Sequence, residues 1–304
     1  MSKHIFADVY KDYNLYASKR HKKQGFETLQ RNFKLHILPY FENKYIEDLL
    51  KIDIINWQTE ILSKNFSNSF NNSLYYEFSS FMKYCVYCSY IRENIVLSVD
   101  KFKKRIEKKK YYTYNIWQFR RFRRKLNNYI DKQYFNFLFF CGPRPSEAMA
   151  LRFSNLEGIF AHIGYSIHRR GKRELDTPKN QSSIRDIKLS LLMRFRFWRL
   201  KRLYIKKYGD PNCDYFVFGG IKPLSSSTID RHKKKACEKA HIREITQHQF
   251  RHSCATRLIN IGVPLDNVSK LLGHSKVSTT VDVYLHTNKK KRANNTLFPK
   301  PFFF

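Results

Sequence analysis

Residues 101–125 hold twelve basic side chains and a single acid, Glu107. A stretch so dense in one sign reads either as a solvated linker with a solvated helix face or as a linker lying along a polyanion, and the near absence of acids favours the second. In both cases it divides the chain. The domain boundary falls near residues 100–112, and the apolar patterns on its two sides form separate cores. A length of 304 residues carries the same prior of two domains.

Before the boundary the pattern is helical. Leu29, Phe33 and Ile37 recur every four residues, with Pro39 following as a stop. Ile54, Trp57, Ile61 and Leu62 make a second stripe, with Asp53 as its N-cap. Phe70, Leu74, Phe78, Phe81, Met82 and Cys85 make a third. These aromatics read as core rather than as base-stacking platforms, and three or four such helices make a small bundle. Beyond the boundary the pattern is mixed. The apolar run 134–140 leads into Cys141-Gly142-Pro143-Arg144-Pro145-Ser146-Glu147. Residues 159–167 and 184–189 alternate like strands around the polar stretch 169–183. Ser190 opens a helix with Leu191, Phe195 and Trp198 on one side and many Arg and Lys on the other. Residues 214–218 suit a short strand. From Thr228 onward the chain is helical again, punctuated by Gly262, Pro264 and Gly273. The expected fold class is mainly α with a small β-sheet or hairpin in the second domain.

Lys and Arg number 58 against 25 Asp and Glu, a formal charge of +33. An excess of that size points to a polyanion, and nucleic acid is the usual one. A membrane surface is the rival, but no long apolar run and no isolated basic amphipathic helix is visible. The first residues lack the apolar core of a signal peptide. Of the cysteines Cys85, Cys88, Cys141, Cys213, Cys237 and Cys254, only the first two form a C-x-x-C pair. With no second pair nearby, they read as two small core residues rather than as a zinc or redox site. Scattered, unpaired cysteines fit a reducing compartment, so a cytoplasmic, DNA-associated protein is expected.

The chemistry-bearing residues come in a fixed order. They are His248-Gln249-Phe250-Arg251-His252, then Leu271-Leu272-Gly273-His274, then Thr279-Thr280 and Tyr284-Leu285-His286. Arginine presents a planar fork that matches phosphate oxygens. Histidine moves protons near neutral pH. A tyrosine hydroxyl, with a free pKa of about 10, becomes a nucleophile once its proton is removed or its phenolate is stabilised. Arg144 precedes this run by about a hundred residues, in a Gly-x-Arg-x-x-Glu setting. Together these blocks resemble the tyrosine recombinase (phage integrase) family, whose hallmark is Arg…His-x-x-Arg…His/Trp…Tyr. The blocks span 141–286. The N-terminal helical part is similar to that family's core-binding domain in length and pattern. No separate arm-binding domain is expected before it, as in the shorter, Xer-sized members.

The resemblance implies two domains, a helical core DNA-binding (SAM-like) domain over 1–105 and a mixed α/β catalytic domain over 106–286. A basic, aromatic tail over 287–304 follows. It implies that Arg144 and Arg251 clamp the scissile phosphate, that His248 accepts a proton or positions the phosphate, and that His274 bonds a non-bridging oxygen. Tyr284 would attack phosphorus to give a 3′-phosphotyrosyl link, and Lys179 would protonate the leaving 5′-oxygen. Lys172 is the rival for that acid, since both lie in the polar stretch where the family carries its lysine on a β-hairpin. Glu147 would hold the arginine loop, or serve as an ordinary acid at a helix N-terminus. His252 reads as a satisfied structural histidine, and His286, two past the tyrosine, points elsewhere. No metal, ATP or other cofactor is implied. The implied partners are double-stranded DNA target sites and three further copies of the chain, with four protomers on two sites and a dimer on each. The tail would dock on a neighbour or stay disordered. A type IB topoisomerase, a catalytically silent DNA-binding protein and a basic RNA-binding protein are the alternatives.

Overall fold

The apolar stripes at the start of the chain fold into the helices of a first unit, Met1–Lys108, and the mixed pattern after them into a second, Lys109–Phe304. The computed structural model describes residues 3–103, 112–167, 175–176 and 184–273.

The first unit comprises α1 (Phe6–Arg20), α2 (Lys23–His36), α3 (Leu38–Phe41), α4 (Lys51–Ser63) and α5 (Asn68–Tyr87). Short 3-10 turns lie at Ile46–Asp48 and Ile95–Ser98. Leu29, Phe33 and Ile37 are buried, as their spacing requires. Pro39 has a different role from the expected stop. The helix ends at His36, and Pro39 lies in the first turn of α3, where a missing N–H breaks no helical bond. Asp53 is not the cap of α4. It is the third residue of that helix, and its carboxylate accepts from the Leu50 N–H at 2.9 Å. Of the C-x-x-C pair only Cys85 is core; Cys88 is exposed just past the end of α5. The aromatics form the core, as expected. Tyr10 stacks on Phe33 at 4.6 Å, and Phe78 meets Phe41 at 4.9 Å and Trp57 at 5.3 Å. The buried Trp57 indole donates to the His36 carbonyl at 2.7 Å.

The second unit is built around α7 (Tyr129–Cys141), whose Tyr134, Phe135, Phe137, Leu138 and Phe139 are all buried. Ahead of it, α6 (Ile116–Arg124) buries Phe119 and Phe122 and leaves Arg120, Arg121 and Arg124 exposed. The Phe119 and Phe139 rings lie parallel at 3.9 Å. Then follow α8 (Pro145–Ala150), β1 (Leu156–Glu157), β2 (Phe160–Ile163), β3 (Ser166–Ile167), β4 (Leu175–Asp176) and β5 (Arg185–Lys188). The sheet is antiparallel in the order β1-β2-β5, with Ala161 opposite Ile187 and Ile163 opposite Arg185, and β3 pairs separately with β4. Residues 214–218 do not form the expected strand. Phe216 makes only single bridges, to Arg152 and Gly220, because Gly219 and Gly220 at φ 130° and 81° fold the chain back at once.

The unit closes with α9 (Leu191–Tyr208), α10 (Ser226–Lys239), α11 (Gln247–Asn260) and α12 (Leu265–Leu272). The Ser190 hydroxyl caps α9 by accepting from the Met193 N–H. The buried face of α9 is Met193, Phe197, Leu200 and Tyr204. Leu191, Phe195 and Trp198, the expected apolar side, are 78%, 55% and 52% exposed. Among the described residues no helix is long and apolar enough to cross a membrane.

Candidate active site

The approach to Arg144 is fixed by glycine and proline. α7 ends at Gly142, which is left-handed at φ +70°; a Cβ there would lie 2.6 Å from Leu272 Cδ2 and 3.1 Å from Cys254 Sγ. Pro145 opens α8, leaving Arg144 extended just ahead of it. Glu147, 5% exposed, ties the turn together. Its carboxylate accepts from the Arg144 backbone N–H at 2.7 Å and from Arg144 Nη1 at 2.6 Å. Holding the arginine loop is thus what Glu147 does, although it also lies in the first turn of a helix.

α11 presents the second set. Thr246 caps it in a capping box with Gln249. His248 lies exposed in the first turn, and Arg251 three residues on shares its face but is 1% exposed. Arg251 Nη1 donates to the Gly142 carbonyl at 3.1 Å and Nη2 to the Leu272 carbonyl at 2.5 Å. Its Nε, also buried, has no hydrogen-bond partner among the described residues. Burial, and then the neighbouring Arg144, push the Arg251 pKa down to about 9, so it stays cationic at neutral pH. His252 is pushed down to about 4 by burial and by Arg251, so it is neutral there. Its ring meets His248 edge-on at 4.8 Å. Behind this helix, the Tyr134 hydroxyl donates to Gln247 Oε1 at 2.7 Å and Gln247 Nε2 donates to Asp230 at 2.9 Å, linking α7, α11 and α10.

The end of α12 joins the pieces. Three consecutive carbonyls there accept from three different arginines. Arg185 Nε donates to Leu271 at 2.7 Å, Arg251 Nη2 to Leu272 at 2.5 Å, and Arg144 Nη2 to Gly273 at 2.7 Å. Gly273, at φ +67°, turns the chain out of the helix. Arg185 also pairs with Glu147, Nη2 to Oε2 at 2.9 Å and Nη1 to Oε1 at 3.3 Å. Burial alone would raise the Glu147 pKa, but Arg185 and then Arg144 outweigh it and hold the carboxyl below its usual range. Arg185 was given no role in the sequence, where its signal was its place at the start of a strand six residues after Lys179, as the arginine that follows the lysine in the pattern this stretch resembles.

Of the site residues expected from the sequence, the structure brings Arg144 and Arg251 to one turn, with His248 beside Arg251 on α11. Lys179, Lys172, His274, Tyr284 and His286 lie outside the described residues. A groove lies elsewhere: Phe160, Leu191, Phe195 and Trp198 line it between α9 and the sheet, and none of these groups is among its lining residues.

Comparison with known proteins bears on the family and the fold. Residues 5–62 match the N-terminal SAM-like domain of phage integrases. The ICEBs1 integrase of Bacillus subtilis (strain 168) is 24% identical over 279 residues, covering 86% of this chain and 74% of that protein. The tyrosine recombinase XerD of Staphylococcus aureus (strain Mu50 / ATCC 700699) is 30% identical over 173 residues, 55% of this chain and 53% of the relative, so the match spans about half of each. Among solved structures, the Tn1549 transposon integrase in complex with transposon right end DNA superposes with a TM-score of 0.75 at 20% identity, covering 95% of this chain and 98% of that one. A lambda integrase tetramer bound to a Holliday junction gives 0.71 at 14% identity, covering 90% and 79%. At these identities the two structures speak for the fold. Residues 116–291, more than half the chain, match the phage integrase family, and this protein belongs to it.

Proposed function

We propose that this protein is a tyrosine-type site-specific DNA recombinase that cuts and rejoins DNA through a 3′-phosphotyrosyl intermediate, without metal or ATP. The observation that carries the reading is the convergence of Arg144 and Arg251 on the turn at the end of α12, immediately before His274. The Arg144 side chain is 31% exposed and meets the phosphate first. Arg251 lies behind it, and its unpartnered Nε is a donor that a phosphate oxygen would satisfy.

The Tyr284 oxygen attacks phosphorus, the bond from phosphorus to the 5′-oxygen breaks, and Lys179 supplies the proton that makes the leaving group a 5′-hydroxyl. The two arginines offset the negative charge that builds on the phosphoryl oxygens, with His274 bonding one of them, and His248 takes the tyrosine proton or positions the phosphate. The phosphotyrosyl link conserves the bond energy, so a 5′-hydroxyl from another strand reverses the step and completes the exchange.

The helical domain over 1–105 and the catalytic domain over 106–286 hold duplex DNA mainly by phosphate contacts, so affinity falls steeply with salt. Four protomers act on two sites, a dimer on each, as the lambda integrase tetramer on a Holliday junction supports. The tail over 287–304 docks on a neighbour, and the protein works in the cytoplasm on DNA.

The test is a nicked suicide duplex carrying the protein's own site, recovered from the DNA flanking its gene. Wild type forms a covalent adduct that survives denaturation, and Tyr284→Phe forms none. An equal adduct from the variant sinks the mechanism.

A further inference from the structure

We infer that Arg185 is a positioning residue for Arg144, and that it keeps the Arg144 charge available to the scissile phosphate by neutralising Glu147. The inference rests on the recombinase reading above.

All three Arg185 guanidinium nitrogens bond Leu271 or Glu147, so it acts through its neighbours rather than by touching DNA. It uses both edges of its guanidinium. The outer edge forks onto the Glu147 carboxylate, and Nε holds the Leu271 carbonyl. Lysine, a single point of charge, cannot make that set of directed bonds. The Ile163–Arg185 register pins the residue at the start of β5.

Charge arithmetic gives Arg185 its purpose. Glu147 is buried and ionised, and it bonds Arg144 twice. With only these two partners, the Arg144–Glu147 pair would be neutral and would attract a phosphate weakly. Arg185 adds a second positive charge to the same carboxylate, and the trio carries +1. Arg185 is the leading counter-ion, since its bond and charge together do most to lower the Glu147 pKa against burial. Through Leu271 the same guanidinium fixes the end of α12, whose next two carbonyls hold Arg251 and Arg144. Removing Arg185 therefore leaves Arg144 in place, held by Glu147 and the Gly273 carbonyl, but electrically occupied.

A neutral substrate separates this role from a merely structural one. In a methylphosphonate, a methyl group replaces one non-bridging oxygen of the scissile phosphate, so the ground-state charge facing Arg144 is gone and one negative charge fewer builds up during attack. Single-turnover adduct formation is measured on matched suicide duplexes, one with a phosphodiester and one with a methylphosphonate, alongside DNA affinity by mobility shift. Arg185→Gln is expected to slow the diester on the order of a hundredfold while changing the methylphosphonate rate and the affinity by less than about threefold. Arg185→Lys, which keeps a charge beside Glu147, should fall between wild type and Arg185→Gln on the diester and match wild type on the methylphosphonate. It also carries the test alone if Arg185→Gln does not fold. Equal losses on both substrates, or an unchanged diester rate, would overturn the assignment while leaving the recombinase reading intact. A wild-type protein that forms no adduct on either duplex would overturn that reading, and the Arg185 role with it.

Discussion

In the N-terminal unit the fully buried side chains are rings and aliphatic groups such as Phe6, Phe33, Phe41, Trp57, Phe78 and Phe81, and the buried polar residues among those described are Asn32 and Asn71. In the C-terminal unit an equally aromatic core lies beside buried Asp131, Glu147, Lys233 and Arg251. Apolar burial stabilises by roughly 25 cal/mol per Å² whatever the exact geometry. Buried ions gain little net stability over apolar groups of the same volume, because desolvation cancels most of their attraction. They do fix positions, since each charge has a few acceptable partners at defined distances. The first unit is therefore built for folding stability, and the second gives up part of its own to hold three arginines in place.

That contrast can be broken most directly by two deletions. Phe78→Ala should destabilise the N-terminal unit by about 3–5 kcal/mol through loss of packing. Glu147→Ala should cost the C-terminal unit a similar ~3–5 kcal/mol by removing the buried carboxylate that both Arg185 and Arg144 bond. Urea melts followed by circular dichroism read both, and a cost under about 1 kcal/mol for Glu147→Ala would show that the buried ions are not structural. Gly142→Ala comes next, at about 1–3 kcal/mol, from its positive φ and the approach of Leu272. It should also slow cleavage, since the Gly142 carbonyl holds Arg251.

A pH titration sharpens the contrast further. The His252 pKa is depressed in the fold to about 4 against about 6.5 free, so the unfolded chain binds the extra proton between those values. Stability contributed by the neutral ring is present above pH 6.5 and is lost as pH falls towards 4, by on the order of 3 kcal/mol. Thermal melts of wild type and His252→Gln should diverge across that window and run parallel above it. The smallest effect belongs to Trp198→Ala on the exposed side of α9, expected within about 0.5 kcal/mol.

The same division governs what the sequence made legible. Leu29, Phe33 and Ile37 could be placed because one face of α2 is apolar and the other is not. On α9 both Leu191, Phe195, Trp198 and Met193, Phe197, Leu200 satisfy helical spacing, so periodicity could not choose the buried side. Packing against the aromatic core chose it. Residues 214–218 had the composition of a strand, but the two glycines that follow prevented a ladder. Arg144, His248 and Arg251 stood out as an ordered motif because their chemistry is local to each side chain. Arg185 did not, since its role depends on Glu147 and Leu271, 38 and 86 residues away in the chain. Long-range partners of that kind leave no spacing to read.

One consequence of the α12 turn concerns specificity for DNA over other anions. A helix C-terminus carries a partial negative charge, equivalent to roughly half an electron. Here that pole faces the guanidinium groups of Arg144, Arg185 and Arg251 through its last carbonyls. It acts as a tethered counter-ion, always at hand and never at bulk concentration. A small free anion must compete with it unaided, whereas a phosphate in duplex DNA arrives supported by every other contact along the backbone. The fold thereby sets a threshold that favours the polymer over the monomeric anion.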